Sequence, residues 1–221
     1  MNSTMHFHVG PIPISSSVAT TWAIMLALAI FLSLAKRRFS VEPGLLQSAL
    51  EGIVSAMIDA IEAVIPGKSE LLLPFVGTLW IYILISNLCG IVPGLSAPTA
   101  DLSVTAALAL LVFLSVHWYG IKSEGLTRYL NHYTRPSPIL LPFHVISEIS
   151  RTVALAVRLF GNIMSLEMAA LLVLLVGGLL VPIPLLMLHI VEALVQAYIF
   201  GMLALIYVSG AIESQQRNKN E

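Results

Sequence analysis

Three stretches of this chain, 18–35, 71–92 and 102–121, contain no aspartate, glutamate, lysine or arginine. A helix needs about 20 mostly apolar residues to cross the ~30 Å hydrocarbon layer of a bilayer. No water is available there, so each backbone N–H must be satisfied within its own segment, and such runs become helices. Two longer apolar runs follow at 139–180 and 181–210, and these do carry charge. Only 10% of the residues are charged and the mean hydropathy is +0.91. Soluble domains carry about 25% charged residues. The expected fold class is an all-α integral membrane protein forming one membrane domain, 1–221. It should have about five membrane-embedded helices, the last two long and strongly tilted, plus an amphipathic helix at the inner surface.

Charge fixes the expected order across the membrane. A polar leader, 1–17, lacks lysine and arginine, and the basic triplet Lys36, Arg37 and Arg38 follows the first apolar run. That is the reverse of a secretory signal, so 18–38 reads as a retained anchor with its N-terminus outside. His6 and His8 in the leader lack the further ligands that a metal site needs. Between Pro43-Gly44 and Pro66-Gly67, the residues Gln47, Glu51, Ser55, Asp59 and Glu62 recur every three or four positions. This pattern predicts the amphipathic helix over 43–65. Spans two and three fall within 71–121. The turn-rich connection between them holds Asn87, Gly90, Pro93, Gly94, Pro98 and Asp101 and no basic residue, so it reads as external. Thr99 or Asp101 is positioned to cap the following helix. An internal segment with Lys122, Arg128 and Arg135 precedes a helical hairpin over 139–210, and 211–221 is an internal tail. Of the eleven basic residues, all but Arg151 and Arg158 then lie inside, and none lies outside.

Those two arginines are the exception that needs explaining. An arginine at bilayer depth costs at least ~2.5–3.5 kcal/mol on insertion scales and usually has a task. At ~100° per residue, Ser147, Arg151, Arg158, Asn162 and Ser165 fall within about 40° of one line. Glu167 lies roughly 180° from Arg158. His189, Glu192, Gln196, Phe200 and Tyr207 span roughly 80° of the next helix. Two consecutive helices thus carry polar stripes at membrane depth, where polar groups are tolerated only against protein or water. Arg158 stays protonated, so it can repel a cation or attract a carboxylate but cannot relay a proton. Glu167 and His189 can titrate. The combination suits charge movement across a membrane. Arg151 is placed to snorkel to the inner surface or to pair with Glu148. Asn162 and Gln196 are placed either to join helices or to line a path. A net charge of −1 disfavours a nucleic-acid partner, and no phosphate-binding G-x-x-x-x-G-K-[ST] loop is present. The single cysteine, Cys89, reads as a packing residue.

These residues resemble the subunit a family of F-type ATP synthases. The likeness rests on RLFGN from Arg158 to Asn162, followed by Glu167, and on His189, Gln196 to Phe200 and Tyr207. Asn87, Gly90, Pro93, Pro98-Thr99, Asp101 and Thr105 also resemble the family's outer loop, and the match covers about 71–207. The resemblance implies a stator subunit beside a rotating c-subunit ring, with a subunit b stalk and no cofactor or metal. It implies two offset half-channels leading to the ring carboxylates, separated by Arg158 with Gln196 nearby. Glu167 and His189 would line the outer half-channel with Asn162 close by, and Glu192 adds an acid there. His144, Glu148 and Arg151 become the inner half-channel candidates. His144 stands where the family often has an acid, and Thr152 where it often has proline. The implied role is non-catalytic ion translocation in a bacterial inner membrane, with protons favoured and sodium possible. A self-contained secondary transporter is the alternative, although no internal repeat of the transporter kind is evident.

Overall fold

The computed structural model describes residues 7–9, 12–14, 16–37, 44–92, 97–125, 141–177 and 183–217. His6, Arg38, Pro43, Pro93, Gly94, Arg128, Arg135 and Lys219 lie outside them. The leader contains a short antiparallel hairpin, β1 (Phe7–Val9) with β2 (Ile12–Ile14), pairing Phe7 with Ile14. Most of the other described residues are helical. Helix α1 is Ser16–Arg37, α2 Leu45–Val64, α3 Ser69–Cys89, α4 Leu102–Glu124, α5 Leu141–Gly177 and α6 Ile183–Arg217. A 3-10 turn, Pro98–Ala100, precedes α4. Five of the helices are long and apolar enough to cross a membrane, and α2 is the one that is not.

Local chemistry sets the boundaries. Helix α2 ends one turn before Gly67, whose φ of +74° is a left-handed conformation that suits glycine. The N–H of Gly67 donates to the Glu62 carboxylate at 2.8 Å. Asp101 caps α4 as expected, accepting from the Ser103 N–H at 2.9 Å and the Ser103 hydroxyl at 2.8 Å. Burial pushes the Asp101 carboxyl up. Hydrogen bonds from the Ser103 backbone, the Ser103 hydroxyl and the Ser17 hydroxyl outweigh this and hold it below its ordinary value. A group with a depressed folded pKa contributes stability above its unfolded pKa and loses it as pH falls through the folded value. Asp101→Ala should therefore cost about 0.5–2 kcal/mol at neutral pH. That difference should shrink below pH ~4. Thermal unfolding of the wild type and variant across pH checks both parts.

Helices α3, α4 and α6 form the packed centre. Helix α3 packs most extensively on α6, and α4 lies against both α5 and α6. One core cluster joins Leu79 and Ile83 of α3 to Val112 of α4, Leu159 of α5 and Phe200 of α6. A second gathers Ile61, Leu72, Trp80, Val116 and Leu205, which docks the end of α2 on the bundle. The hairpin expected over 139–210 is present as α5 and α6, with 37 and 35 residues. At ~1.5 Å per residue these are about 55 and 52 Å long, well beyond a perpendicular crossing. They touch each other over a shorter stretch than each touches α4.

Helices α3 and α6 pack tightly at Gly201. Trp80 stacks on Tyr198, and its indole N–H donates to the Tyr198 carbonyl at 3.2 Å. A Cβ built on Gly201 would overlap the Trp80 ring. Gly201→Ala is expected to destabilise the chain by about 1–3 kcal/mol through overpacking. The amount of chain accumulating in membranes reads this out, and adding Trp80→Phe should recover most of the loss. Wild-type accumulation by Gly201→Ala alone would contradict it.

Candidate functional site

Helix α5 buries one side and shows the other. Leu155, Leu159, Ile163 and Leu166 recur at three- and four-residue steps and are all buried. About 90° round the helix, Ser147, Arg151, Arg158 and Ser165 are exposed, with Asn162 half-buried. Arg158 lies near the middle of α5, flanked by the exposed Val153 and Val157. It makes no hydrogen bond or ion pair with any described residue. The expected opposition to Glu167 is therefore realised: the cation points out of the chain and the acid points into it.

The stripe on α6 is turned the other way. His189, Gln196 and Phe200 are 4%, 2% and 1% exposed, so this row faces the bundle interior. The two stripes meet where the Asn162 side-chain amide donates to the Gln196 oxygen at 2.6 Å. The Gln196 nitrogen is buried without a partner among the described residues. Further along α6, His189 Nε2 lies 3.1 Å from the Asn87 carbonyl. A carbonyl only accepts, so in this contact Nε2 carries the hydrogen. Asn87 is itself fixed, its side-chain oxygen accepting from the Thr99 hydroxyl at 2.7 Å.

Glu167 reaches the same region from α5. Its carboxylate accepts from the Ala97 N–H at 3.2 Å, beside Gly90. Both Glu167 and Glu192 interact electrostatically with His189. The structure therefore brings Glu167, His189 and Glu192 together under the connection between α3 and α4. Ser86 and Asn87 add two more buried polar atoms without partners among the described residues. Each such atom costs about 1–3 kcal/mol if left dry. Water at polar sites of this kind is the usual remedy.

The remaining candidates lie towards the start of α5. His144 is exposed and Glu148 is half-buried. The local ion pair expected between Glu148 and Arg151 does not form. Arg151 instead places its guanidinium 5.4 Å from the centre of the Tyr207 ring on α6, an attractive geometry for a cation on an aromatic face. Tyr207 belongs to the expected α6 stripe, so this contact ties the two stripes together a second time.

Sequence reasoning missed the partnership of Asn87, Thr99 and His189. It placed Asn87 in the external connection, whereas Asn87 occupies the last turns of α3 and is fully buried. A primary amide at the end of an otherwise apolar span was the available signal.

The chain matches the family model described as "ATP synthase A chain" over residues 18–209. It is 60% identical over 214 residues to "ATP synthase subunit a 2" of Pelobacter propionicus, covering 97% of this chain and 94% of that one. It is 59% identical over 211 residues to "ATP synthase subunit a" of Legionella pneumophila, covering 95% and 92% of the two chains. A more distant relative, "ATP synthase subunit a 2" of a Bradyrhizobium species, is 47% identical over 97% of this chain and 96% of its own.

Proposed function

The chain belongs to the ATP synthase A chain family, and on that footing we propose that it is the ion-translocating stator subunit of a rotary F-type ATP synthase. It is non-catalytic by itself and works within the synthase complex, against a c-subunit ring and beside a subunit b stalk. The observation that carries this reading is Arg158: a permanent cation at mid-helix, on an apolar exterior, with no partner among the described residues. Lipid is a poor cover for such a group. A carboxylate on a neighbouring ring is a good one. At an effective dielectric of ~20, a charge pair at 4 Å is worth about 4 kcal/mol. That is enough to hold a passing ring carboxylate ionised, so that it releases its ion.

Two half-channels offset along the hairpin then meet at this barrier. The outer one is lined by Glu167, His189 and Glu192, with Asn162 and Gln196 at its deep end. The unsatisfied atoms of Ser86, Asn87 and Gln196 support water along this route. The inner one runs from His144 and Glu148 past Arg151 to Arg158. The length of α5 and α6 supports their lying strongly tilted along the ring. Lys36, Arg37, Lys68 and Lys122 share one side of an alternating set of spans, which supports an external N-terminus and an internal C-terminus in a bacterial inner membrane.

The complex reconstituted in vesicles should pump ions on ATP addition, and the purified chain alone should not. Saturable transport by the chain without a ring would favour a self-contained transporter instead. Protons are the favoured coupling ion. Uptake measured with and without sodium at fixed pH decides this, and strict sodium dependence would make sodium the ion.

A further inference from the structure

The first arm of α5 has little to rest on. None of residues 142–154 is buried, whereas burial begins at Leu155 and Ala156 and continues through Leu159, Ile163 and Leu166. Arg151 is where this arm meets α6, its guanidinium 5.4 Å from the centre of the Tyr207 ring. The ring itself is well anchored. Tyr207 packs against both core clusters, and its neighbours Leu205 and Val208 are fully buried. No described residue hydrogen-bonds its hydroxyl, so the contact uses the face of the ring.

This contact is paired with the bond from Asn162 to Gln196. Arg151 lies eleven residues before Asn162, and Tyr207 lies eleven after Gln196. Eleven residues advance a helix by about 16 Å and return it to within about 20° of the same side. The two antiparallel helices are therefore joined at two points, at matching intervals along one line on each. One point would leave a pivot, and a second point about 16 Å away removes it. Arg158 sits between them, four residues from Asn162 and seven from Arg151. A swing of α5 about Asn162 that moved Arg151 by about 3 Å would move Arg158 by four elevenths of that, about 1 Å. A misplacement of about 1 Å can cost a catalysed step about 100-fold. Arg158 has no partner among the described residues to resist such a shift. We propose that Arg151 and Tyr207 are positioning residues, whose cation–aromatic contact stops α5 swinging about Asn162 and so holds Arg158 in place. The link to pumping rests on the proposed role of Arg158, but the tie between the helices does not.

The test uses the whole synthase complex in vesicles, with its cysteines replaced, Cys89 of this chain included, and spin labels on Ile146→Cys and Gly210→Cys. Both positions are exposed, and a side chain at Gly210 meets nothing within 4 Å. Pulsed electron–electron resonance then reads the distance between the start of α5 and the end of α6. Wild-type Tyr207 and Tyr207→Phe should give one narrow distance. Trifluorophenylalanine at position 207 keeps the shape of the ring but draws negative charge away from its face. It should raise the population with separated helix ends by roughly 2- to 30-fold. Arg151→Gln should do the same, and ATP-driven pumping should fall in step with the separation. The fluorinated ring leaves the packing almost untouched, so it remains informative if Arg151→Gln fails to assemble. Equal distances with the plain and fluorinated phenylalanine rings would reduce Tyr207 to a packing residue and overturn the proposal. So would an unchanged distance in Arg151→Gln. Separated ends with wild-type pumping would uphold the tie and tell instead against Arg158 as the barrier.

Discussion

Replacing Arg158 with alanine is expected to lower ATP-driven ion pumping by at least about 100-fold while leaving the complex assembled. The two halves of this expectation come from the same geometry. Arg158 is exposed and has no partner among the described residues, so none of them loses a bond when it is removed. Its removal even relieves the insertion cost of a cation at membrane depth, ~2.5–3.5 kcal/mol. The function behaves oppositely. An interaction of about 4 kcal/mol with a ring carboxylate corresponds to nearly a thousandfold bias. In the proposed mechanism, a carboxylate without it has no reason to discharge its ion before crossing, and the barrier between the proposed half-channels is open. Lysine should not substitute: an ammonium is a strongly hydrated point charge that can lose its proton when desolvated, whereas guanidinium holds its charge. Unchanged pumping by Arg158→Ala would reduce the residue to a structural one and remove the central support of the proposed mechanism.

Much of this was legible because membrane depth makes polar residues expensive. The five spans follow from apolar runs, and the expected opposition of Arg158 and Glu167 follows from helical periodicity. Periodicity places residues on a side, however, without saying what the side faces. Both polar stripes were visible in the sequence, yet only the coordinates show that the α5 stripe faces out and the α6 stripe faces in. That distinction depends on α4, whose apolar sides take up α5 and α6 and leave the α5 stripe uncovered. The Glu148–Arg151 pair was a reasonable local expectation at three residues' spacing. It lost to a longer-range contact with Tyr207, which no local pattern encodes. Asn87 was visible only as one of several turn-forming residues. Its role depends on a carbonyl, and a backbone group leaves no mark on sequence.

The second large effect is expected at Glu167 and His189, and paired substitutions separate packing from ion transfer. Glu167 accepts a hydrogen bond from the Ala97 N–H, which a glutamine side-chain oxygen can also do. Glu167→Gln therefore keeps the structural contact and loses the titratable group, while Glu167→Ala loses both. In the same way His189→Gln keeps a donor for the Asn87 carbonyl but cannot take up a proton. If these groups pass ions along the outer route, both glutamine variants should pump about tenfold more slowly, a barrier increase of ~1.4 kcal/mol. Each should also change the shape of the pH profile, which a purely structural group would not do. His189 is an electrostatic neighbour of Glu167, so the variant carrying both Glu167→Gln and His189→Gln should fall short of the product of the single losses. Wild-type pumping by both glutamine variants at every pH, with failure only of Glu167→Ala, would leave Glu167 as an anchor for the α3–α4 connection. The outer route would then have to run elsewhere, with Glu192 the nearest remaining acid.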